Sequence, residues 1–375
     1  MGLLDEGQII RGTYEVERKL GEGAFAEVYR VKHRFLGRQA MKVFKTIGMT
    51  IEETEQMLGE ATMLSRIGHP NIIRVFDANT TETSKGTSGF FTMEYVAGGT
   101  LEQFWRSHGR NLVPVETSVD IICQVCRGLA VGHSEKPPVI HRDIKTQNIL
   151  VGYDAAGLRV RVTDFGLAKR VNPLTLLASA RGTRMFKPPE VFRDAQHDSC
   201  AGDVWAVGLV LYLLLTDRLP YSAGGDPDFL DSSCFDQPPI PPSRLNVQVD
   251  PMLEKIVLRA MALKPEDRYP GAVELLGELS KWKPRPAGSV PKGKSLSSDS
   301  SKSVLGAYSP VSESQARRLV ERAIQLSQQA GKLGEAADLM EEAFNKSPNI
   351  RTEKEYLLKL WRRGIVAPMG RSSMS

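Results

Sequence analysis

The run Val204-Trp-Ala-Val-Gly-Leu-Val-Leu-Tyr-Leu-Leu-Leu215 constrains the fold more than any other stretch of the chain. It carries no charged side chain. A membrane span needs about 20 such residues, so a run this short reads as a helix buried inside a core. Burying it takes a large helical body, and 375 residues suffice; at about 150 residues per domain the length suggests roughly two or three units. Hydrophobic residues at 41% and charged residues at 25% exclude a disordered chain, a collagen-like fibre and a disulfide-stapled miniprotein.

The charge balance is 49 − 44 = +5, short of the excess of a dedicated nucleic-acid binder, so no nucleic-acid partner is expected. Four cysteines, Cys123, Cys126, Cys200 and Cys234, do not make a disulfide framework. Cys123 and Cys126 form a lone CxxC within Ile121-Ile-Cys-Gln-Val-Cys-Arg-Gly-Leu129. No second CxxC or HxxxH completes a zinc site, and the i, i+3 spacing suits a buried helix face. Met1-Gly-Leu-Leu-Asp-Glu-Gly lacks the basic start and apolar core of a secretory signal. Gly2 does not make an acylation signal, because Glu6 stands where Ser or Thr is needed. The expectation is a soluble, cytoplasmic protein with no membrane partner.

Residues 14–47 alternate and carry β-formers, which predicts three short strands. Residues 51–67 have helical spacing, with Met57, Ala61, Leu64 and Ile67 on one face. Helices dominate after about residue 100. From Lys283 to Ser312 the chain turns to Pro, Gly, Ser and Lys, the composition of a flexible basic linker. Periodicity returns at Ala316 and runs to about Leu360.

The first strand pair brackets Gly21-Glu-Gly-Ala-Phe-Ala-Glu-Val28. Gly21 and Gly23 let the backbone approach phosphate oxygens, although a lone Gly-x-Gly is equally a hairpin turn. One strand later comes Ala40-Met-Lys42, where an ammonium could meet phosphates, and Glu60 lies on the following helix, where it could pair with Lys42. Then follow His141-Arg-Asp-Ile-Lys-Thr-Gln-Asn148 and Asp164-Phe-Gly166.

In this combination the sequence resembles the protein kinase family, in particular the bacterial Ser/Thr kinases of eukaryotic type. Further matches are Glu94-Tyr-Val96 as a hinge, Gly182-Thr183 with Pro189-Glu190 closing the activation segment, Asp203-Val-Trp-Ala-Val-Gly208, and Lys264-Pro-Glu-Asp-Arg268, whose Arg looks like the one that pairs with Glu190. The resemblance covers about residues 14–282. It implies an α+β, two-lobed protein kinase fold: a small β-rich N-lobe with one helix and a larger helical C-lobe, here followed by a C-terminal α-helical segment. The implied organisation is an N-terminal extension at 1–13, a kinase domain at 14–283 (N-lobe 14–95, C-lobe 97–283), the linker at 284–312, a helical segment at 313–363 and a disordered tail at 364–375.

The implied activity is transfer of the γ-phosphate of MgATP to Ser or Thr hydroxyls of proteins. Phosphoryl transfer needs positioning and charge neutralisation more than covalent chemistry. By resemblance Lys42, held by Glu60, meets the α- and β-phosphates. Asn148 and Asp164 supply hard oxygens that suit Mg²⁺, with Mn²⁺ able to substitute. Asp143 accepts or orients the substrate hydroxyl proton, and Lys145 steadies the γ-phosphate. The loop residues Gly21, Glu22, Gly23, Ala24 and Phe25 cover the phosphates. Leu20, Val28, Ala40 and Leu150 sandwich the adenine, Met93 is the gatekeeper, and backbone groups of Glu94 and Val96 hold the base. The Asp143-x-Lys145 pattern and Gly182-Thr183 resemble Ser/Thr rather than tyrosine kinases, with Thr183 contacting Asp143 and Lys145. Small-molecule kinases of related fold lack the Gly-Thr…Pro-Glu segment. Glu190, Asp203 and Arg268 are structural.

Some positions depart from the family pattern. Ala26 replaces the loop's third Gly, Pro188 replaces Ala before Pro189-Glu190, Phe186 stands where Tyr is usual, and Arg184 replaces a common Pro. The last three touch substrate docking and leave peptide preference open; none removes a catalytic group. Arg142 before Asp143 implies a loop ordered by an Arg–phosphate pair, and Thr175 and Ser179 are the expected autophosphorylation sites. The stretch 222–243, with Asp226, Asp228, Asp231 and Asp236, is either a docking surface for basic substrates or a solvated loop.

In the C-terminal segment Ala336, Met340, Ala343 and Pro348 fit a tetratricopeptide repeat's second helix and closing Pro, with a further helix around 353–363. About one unit is present where three are needed for independent stability. The segment therefore either meets a partner or a second copy, or packs on the kinase lobe. Self-association for trans-autophosphorylation and a phosphatase partner are also implied by the resemblance. The alternative function is a kinase-fold scaffold acting through its C-terminal helices.

Overall fold

The computed structural model describes residues 2–109, 112–165, 184–193, 198–221, 235–284 and 310–366. The N-terminal part is an antiparallel sheet of β1 (Ile9–Ile10), β2 (Tyr14–Glu22), β3 (Ala26–His33), β4 (Gly37–Ile47), β5 (Val75–Thr83) and β6 (Gly86–Glu94), in the order β1-β2-β3-β4-β6-β5. Side chains alternate across a strand, so each strand feeds two faces. Tyr14, Val16, Tyr29, Val31, Met41, Val43 and Phe90 form one core face. Ala26, Ala40, Phe44, Phe91 and Met93 form the other, with Leu20 and Val28 half-buried against it.

The N-terminal extension belongs to this first face. Leu3 and Leu4 are buried in it. Leu3 N–H donates to the buried Glu27 carboxylate at 2.9 Å, and Leu4 N–H to the Tyr29 hydroxyl at 3.0 Å.

The helical stretch after β4 is two helices, α1 (Ile51–Met57) and α2 (Gly59–Ile67), joined at Leu58. Thr50 and Glu53 form a reciprocal capping box at the start of α1. The stretch expected as one helix is thus broken near its middle. Leu58 is fully buried, and Ile67 is half exposed. The side chains of Met57, Glu60, Ala61 and Leu64 lie outside the described residues.

The second lobe contains α3 (Leu101–Arg106), α4 (Val115–His133), the hairpin β7 (Ile149–Asp154) and β8 (Gly157–Val162), α5 (Pro189–Arg193), α6 (Cys200–Thr216), α7 (Pro242–Leu245), α8 (Pro251–Ala260) and α9 (Ala272–Lys281). Helix α6 contains the apolar run and is buried from Val204 to Thr216. Ser199 caps its start, accepting from Gly202 N–H at 3.0 Å, and Asp217 ends it in the left-handed region. Cys123 and Cys126 are buried on α4, in the core between α4 and α6.

Three further helices follow: α10 (Pro310–Ser327), α11 (Leu333–Phe344) and α12 (Pro348–Arg362). The last starts at Pro348, before the expected position near residue 353. They share a core of Ala316, Ala323, Ala336, Ala337, Met340, Ala343, Phe344, Leu358 and Trp361. Small residues let the helices approach closely, and Tyr153 of β7 packs against the same cluster. The helices thus lie on the two-lobed body, joined to both lobes by contacts described below.

Candidate active site

The register of the sheet builds one wall of a cleft. Val28 pairs with Lys42, and Ala40 pairs with Met93, so Val28, Ala40 and Lys42 share the face of β3 and β4 toward the second lobe. Leu150 on β7 and Val96 after β6 join the same cluster. The residues expected to sandwich a planar base, Leu20, Val28, Ala40 and Leu150, are therefore together, with the expected gatekeeper Met93 and with Val96 of the hinge. Met93 is buried, and Thr163 Oγ1 meets its Sδ at 3.8 Å.

Between β2 and β3, Gly23 N–H donates to Ala26 carbonyl and Lys45 N–H to Phe25 carbonyl, both at 2.8 Å. Glu22 ion-pairs with Lys19 and Lys45. A Cβ at Gly21 would meet nothing within 4 Å, and one at Gly23 would meet only Ala26 O, at 3.7 Å. The protein itself does not demand glycine there. Open space beside a bare backbone is what a close-approaching phosphate requires.

The opposite wall carries the charges. Lys145 Nζ and Asn148 Nδ2 donate to Asp143 Oδ2 at 2.7 and 3.0 Å. Asn148 Nδ2 also holds the Asp143 carbonyl at 2.8 Å. Across the cleft, Lys42 Nζ reaches Asp164 Oδ2 at 2.6 Å. Burial pushes the Asp164 carboxyl up, but the adjacent Lys42 ammonium outweighs it and holds the carboxyl below its ordinary value. Asp164 Oδ1 is buried with no hydrogen-bond partner. A buried, unpartnered oxygen on an anionic carboxylate fits a hard, oxygen-seeking divalent cation. The side chain of Glu60, the expected partner of Lys42, lies outside the described residues, as do Thr175, Ser179 and Thr183.

Below the site, Asp203 is a buried hub. Its carboxylate accepts from His141 N–H at 2.7 Å, Arg142 N–H at 2.9 Å and His133 Nε2 at 3.0 Å. His141 Nδ1 accepts from Asp143 N–H, and its Nε2 meets the Thr163 carbonyl at 2.8 Å. Burial lowers the His141 pKa, in keeping with a neutral ring that accepts at one nitrogen and donates at the other. Phe165 is buried against that ring, centroids 4.6 Å apart. Arg268 forks onto Glu190 at 2.8 and 2.7 Å.

Some neighbours of the site had no signal in the sequence. Arg142 Nε donates to Asp198 Oδ2 at 2.6 Å, a pairing across many intervening residues. Lys187 Nζ donates to the Arg142 carbonyl at 2.7 Å and lies 3.8 Å from Asp143 Oδ1. Neither residue belongs to a recognisable spacing. Among the described residues no cluster of His, Cys, Asp or Glu forms a separate metal site, and no helix is long and apolar enough to cross a membrane.

Comparison with known proteins agrees with this geometry. The chain is 32% identical over 281 residues to a probable serine/threonine-protein kinase of Clostridium acetobutylicum, covering 74% of this chain and 41% of that protein. It is 32% identical over 272 residues to serine/threonine-protein kinase PknB of Mycobacterium tuberculosis, covering 71% and 42%. The chain thus spans about two fifths of the length of the curated relatives it matches. Among solved structures, the PknI kinase domain of M. tuberculosis superposes with a TM-score of 0.54 at 25% identity, covering 74% of this chain and 98% of that one. The sequence matches the family described as protein kinase domain over residues 14–278, most of its length, and the chain belongs to that family.

Proposed function

We propose that the protein is a Ser/Thr protein kinase that transfers the γ-phosphate of ATP, with Mg²⁺, to hydroxyls of protein substrates. The observation that supports it best is the convergence of Lys42, Asp143, Lys145, Asn148 and Asp164 on one cleft beside an apolar slot. In this reading Asp143 Oδ2 is committed to Lys145 and Asn148, leaving Oδ1 to take the hydrogen bond of the incoming hydroxyl. Lys42 anchors the non-transferred phosphates and Lys145 the transferred one. Asp164 and Asn148 would hold the cation, which neutralises phosphate charge when bound. Leu20, Val28, Ala40, Met93 and Leu150 would clasp the base, with the backbone of Glu94 and Val96 fixing its edge.

Activation by autophosphorylation at Thr175 or Ser179, between two copies of the chain, belongs to the same proposal. Arg142 is the group a loop phosphate would meet. A phosphatase to reverse the reaction, and a cytoplasmic setting, where ATP is available, complete it. Intact mass and phosphosite mapping before and after MgATP test it, beside an Asp143→Asn control. Phosphate steps in the wild type alone, with sites at Thr175 or Ser179, are expected. Nucleotide binding without any step in mass would favour the scaffold reading instead.

A further inference from the structure

Helices α11 and α12 do more than cover surface. One acidic row on α11 reaches both lobes and the segment that joins them. Glu342 receives Arg30 Nη1 of β3 at 2.5 Å and Arg18 of β2 at 3.0 Å, and its Oε1 also accepts the Tyr95 hydroxyl at 2.9 Å. One turn on, Asn345 Nδ2 donates to the Gly98 carbonyl at 2.9 Å. Glu341 accepts Tyr153 N–H of β7 at 3.3 Å and packs so closely that a Cβ on Gly98 would lie 2.6 Å from its Oε2. On α12, Arg351 donates to Ser107 Oγ at 2.8 Å and lies over the Phe104 ring at 4.5 Å. Residues 94–98, the only direct link between the sheet lobe and α3 among the described residues, are thus gripped from outside by residues some 250 positions later.

We infer that Glu342, with Tyr95, is a positioning pair for nucleotide binding: the C-terminal helices clamp the hinge from behind and hold its backbone in the geometry that receives the base. The reasoning is energetic. Glu342 is only 11% exposed and satisfies two guanidinium groups and a hydroxyl at once. Charge-assisted bonds in such a setting are roughly twice as strong as neutral ones. Its partners lie on the sheet lobe, Arg18 and Arg30, and on the hinge, Tyr95, while Glu341 and Arg351 of the same helices hold Tyr153 and Ser107 of the second lobe. Rotating one lobe against the other breaks these contacts together, so the clamp biases the lobe orientation in which they all form. No clamp residue is among those lining the apolar slot, so the clamp leaves the slot open to a base. The inference rests on the reading that this slot takes the base of ATP.

Calorimetric titration of the full chain with MgATP tests it, using wild type, Glu342→Gln, Tyr95→Phe and the double variant, with hydrogen exchange of residues 94–100 read in parallel. Each single variant is expected to weaken nucleotide binding by about fivefold, the low end of coupling between linked sites. Hinge exchange should quicken in each. The double variant should bind less tightly than either single one, though by less than the product of the two effects, because Glu342→Gln takes the charge from the two guanidinium pairs, Tyr95→Phe takes the hydroxyl bond, and both losses fall on one side chain. Tyr95→Phe removes one hydroxyl and no charge, which keeps the test valid should Glu342→Gln disturb folding. Unchanged affinity in both variants despite faster hinge exchange would overturn the clamp, leaving a packing tail. Failure of the wild type itself to bind MgATP would instead overturn the base-pocket reading.

Discussion

Arg142 and Asp164 both hold left-handed backbone, with φ of 69° and 67°. For non-glycine residues such conformations cost about 1–3 kcal/mol each and persist only where surroundings enforce them. Asp203 supplies that enforcement at Arg142, by taking two consecutive backbone N–H groups. The Arg142 side chain is then aimed at Asp198, which already supplies an anion. Asp198→Asn should therefore matter most when no phosphate is present. In phosphatase-treated protein, activity should fall roughly tenfold, the loss of about 1.5 kcal/mol from one charge-assisted bond. After autophosphorylation the variant should approach wild type. An equal loss in both states would rule out exchange of one anion for the other. Lys187, 3.8 Å from Asp143 Oδ1, calls for a different readout. Lys187→Met should lower kcat by about tenfold, roughly 1.4 kcal/mol of barrier, with KM for ATP unchanged, and Lys187→Arg should restore most of it. A rise in KM alone would place Lys187 in binding only.

At the scale of elements, the packing of α6 against α8 depends on a missing side chain. A Cβ at Gly208 would lie 2.9 Å from both Ala260 Cβ and Met261 Cγ. Two helices meet there with no room for a methyl group. Gly208→Ala gains helix propensity of up to about 1 kcal/mol but overpacks the contact by about 1–3 kcal/mol. Net destabilisation in urea, with m unchanged, is the expected outcome, and a stabilised variant would show that α8 yields freely. Much at this level was legible in sequence, for physical reasons that differ by element. Alternation at 14–47 predicts β2, β3 and β4, because a two-residue period is the pleat itself. The run from Val204 predicts α6 because nothing else can hide so many apolar side chains. The break at Leu58 and the burial of Leu3 and Leu4 were not legible. Each depends on a distant surface: Leu58 enters the core beside Ile73 and Phe91, and the two leucines join the one around Tyr29 and Val31. The site shows the same division. Lys42, Asp143, Lys145, Asn148 and Asp164 stand in short motifs whose resemblance to the protein kinase family implied their place, whereas Asp198, Lys187 and Glu342 join the site or its hinge across long stretches of chain and stand in no such motif.

For the whole molecule, the buried join between α11 and the two lobes makes stability depend on pH. Glu341 lies against Gly98 and Gly152, with Oε1 taken by Tyr153 N–H and Arg362 and Oε2 unpartnered. Arg362 and Asp338 are the charged groups that act on it, Arg362 by a direct pair. Burial raises the Glu341 pKa from 4.5 to about 7, a shift that the Arg362 guanidinium opposes without cancelling. An acid whose folded pKa is raised binds its proton more tightly when docked than when exposed. Docked protein therefore loses stability as pH climbs from about 4.5 to about 7, and no more above that. Neighbouring groups titrate too, so the informative quantity is a difference. Glu341→Gln keeps an oxygen for Tyr153 N–H while removing the charge. The melting temperature of the variant minus that of the wild type should rise between pH 5 and about 7, then level off by about pH 8. A difference that stays constant over the whole range would mean that Glu341 is ionised in the docked state throughout. In that case the Arg362 pair, and not burial, governs this join.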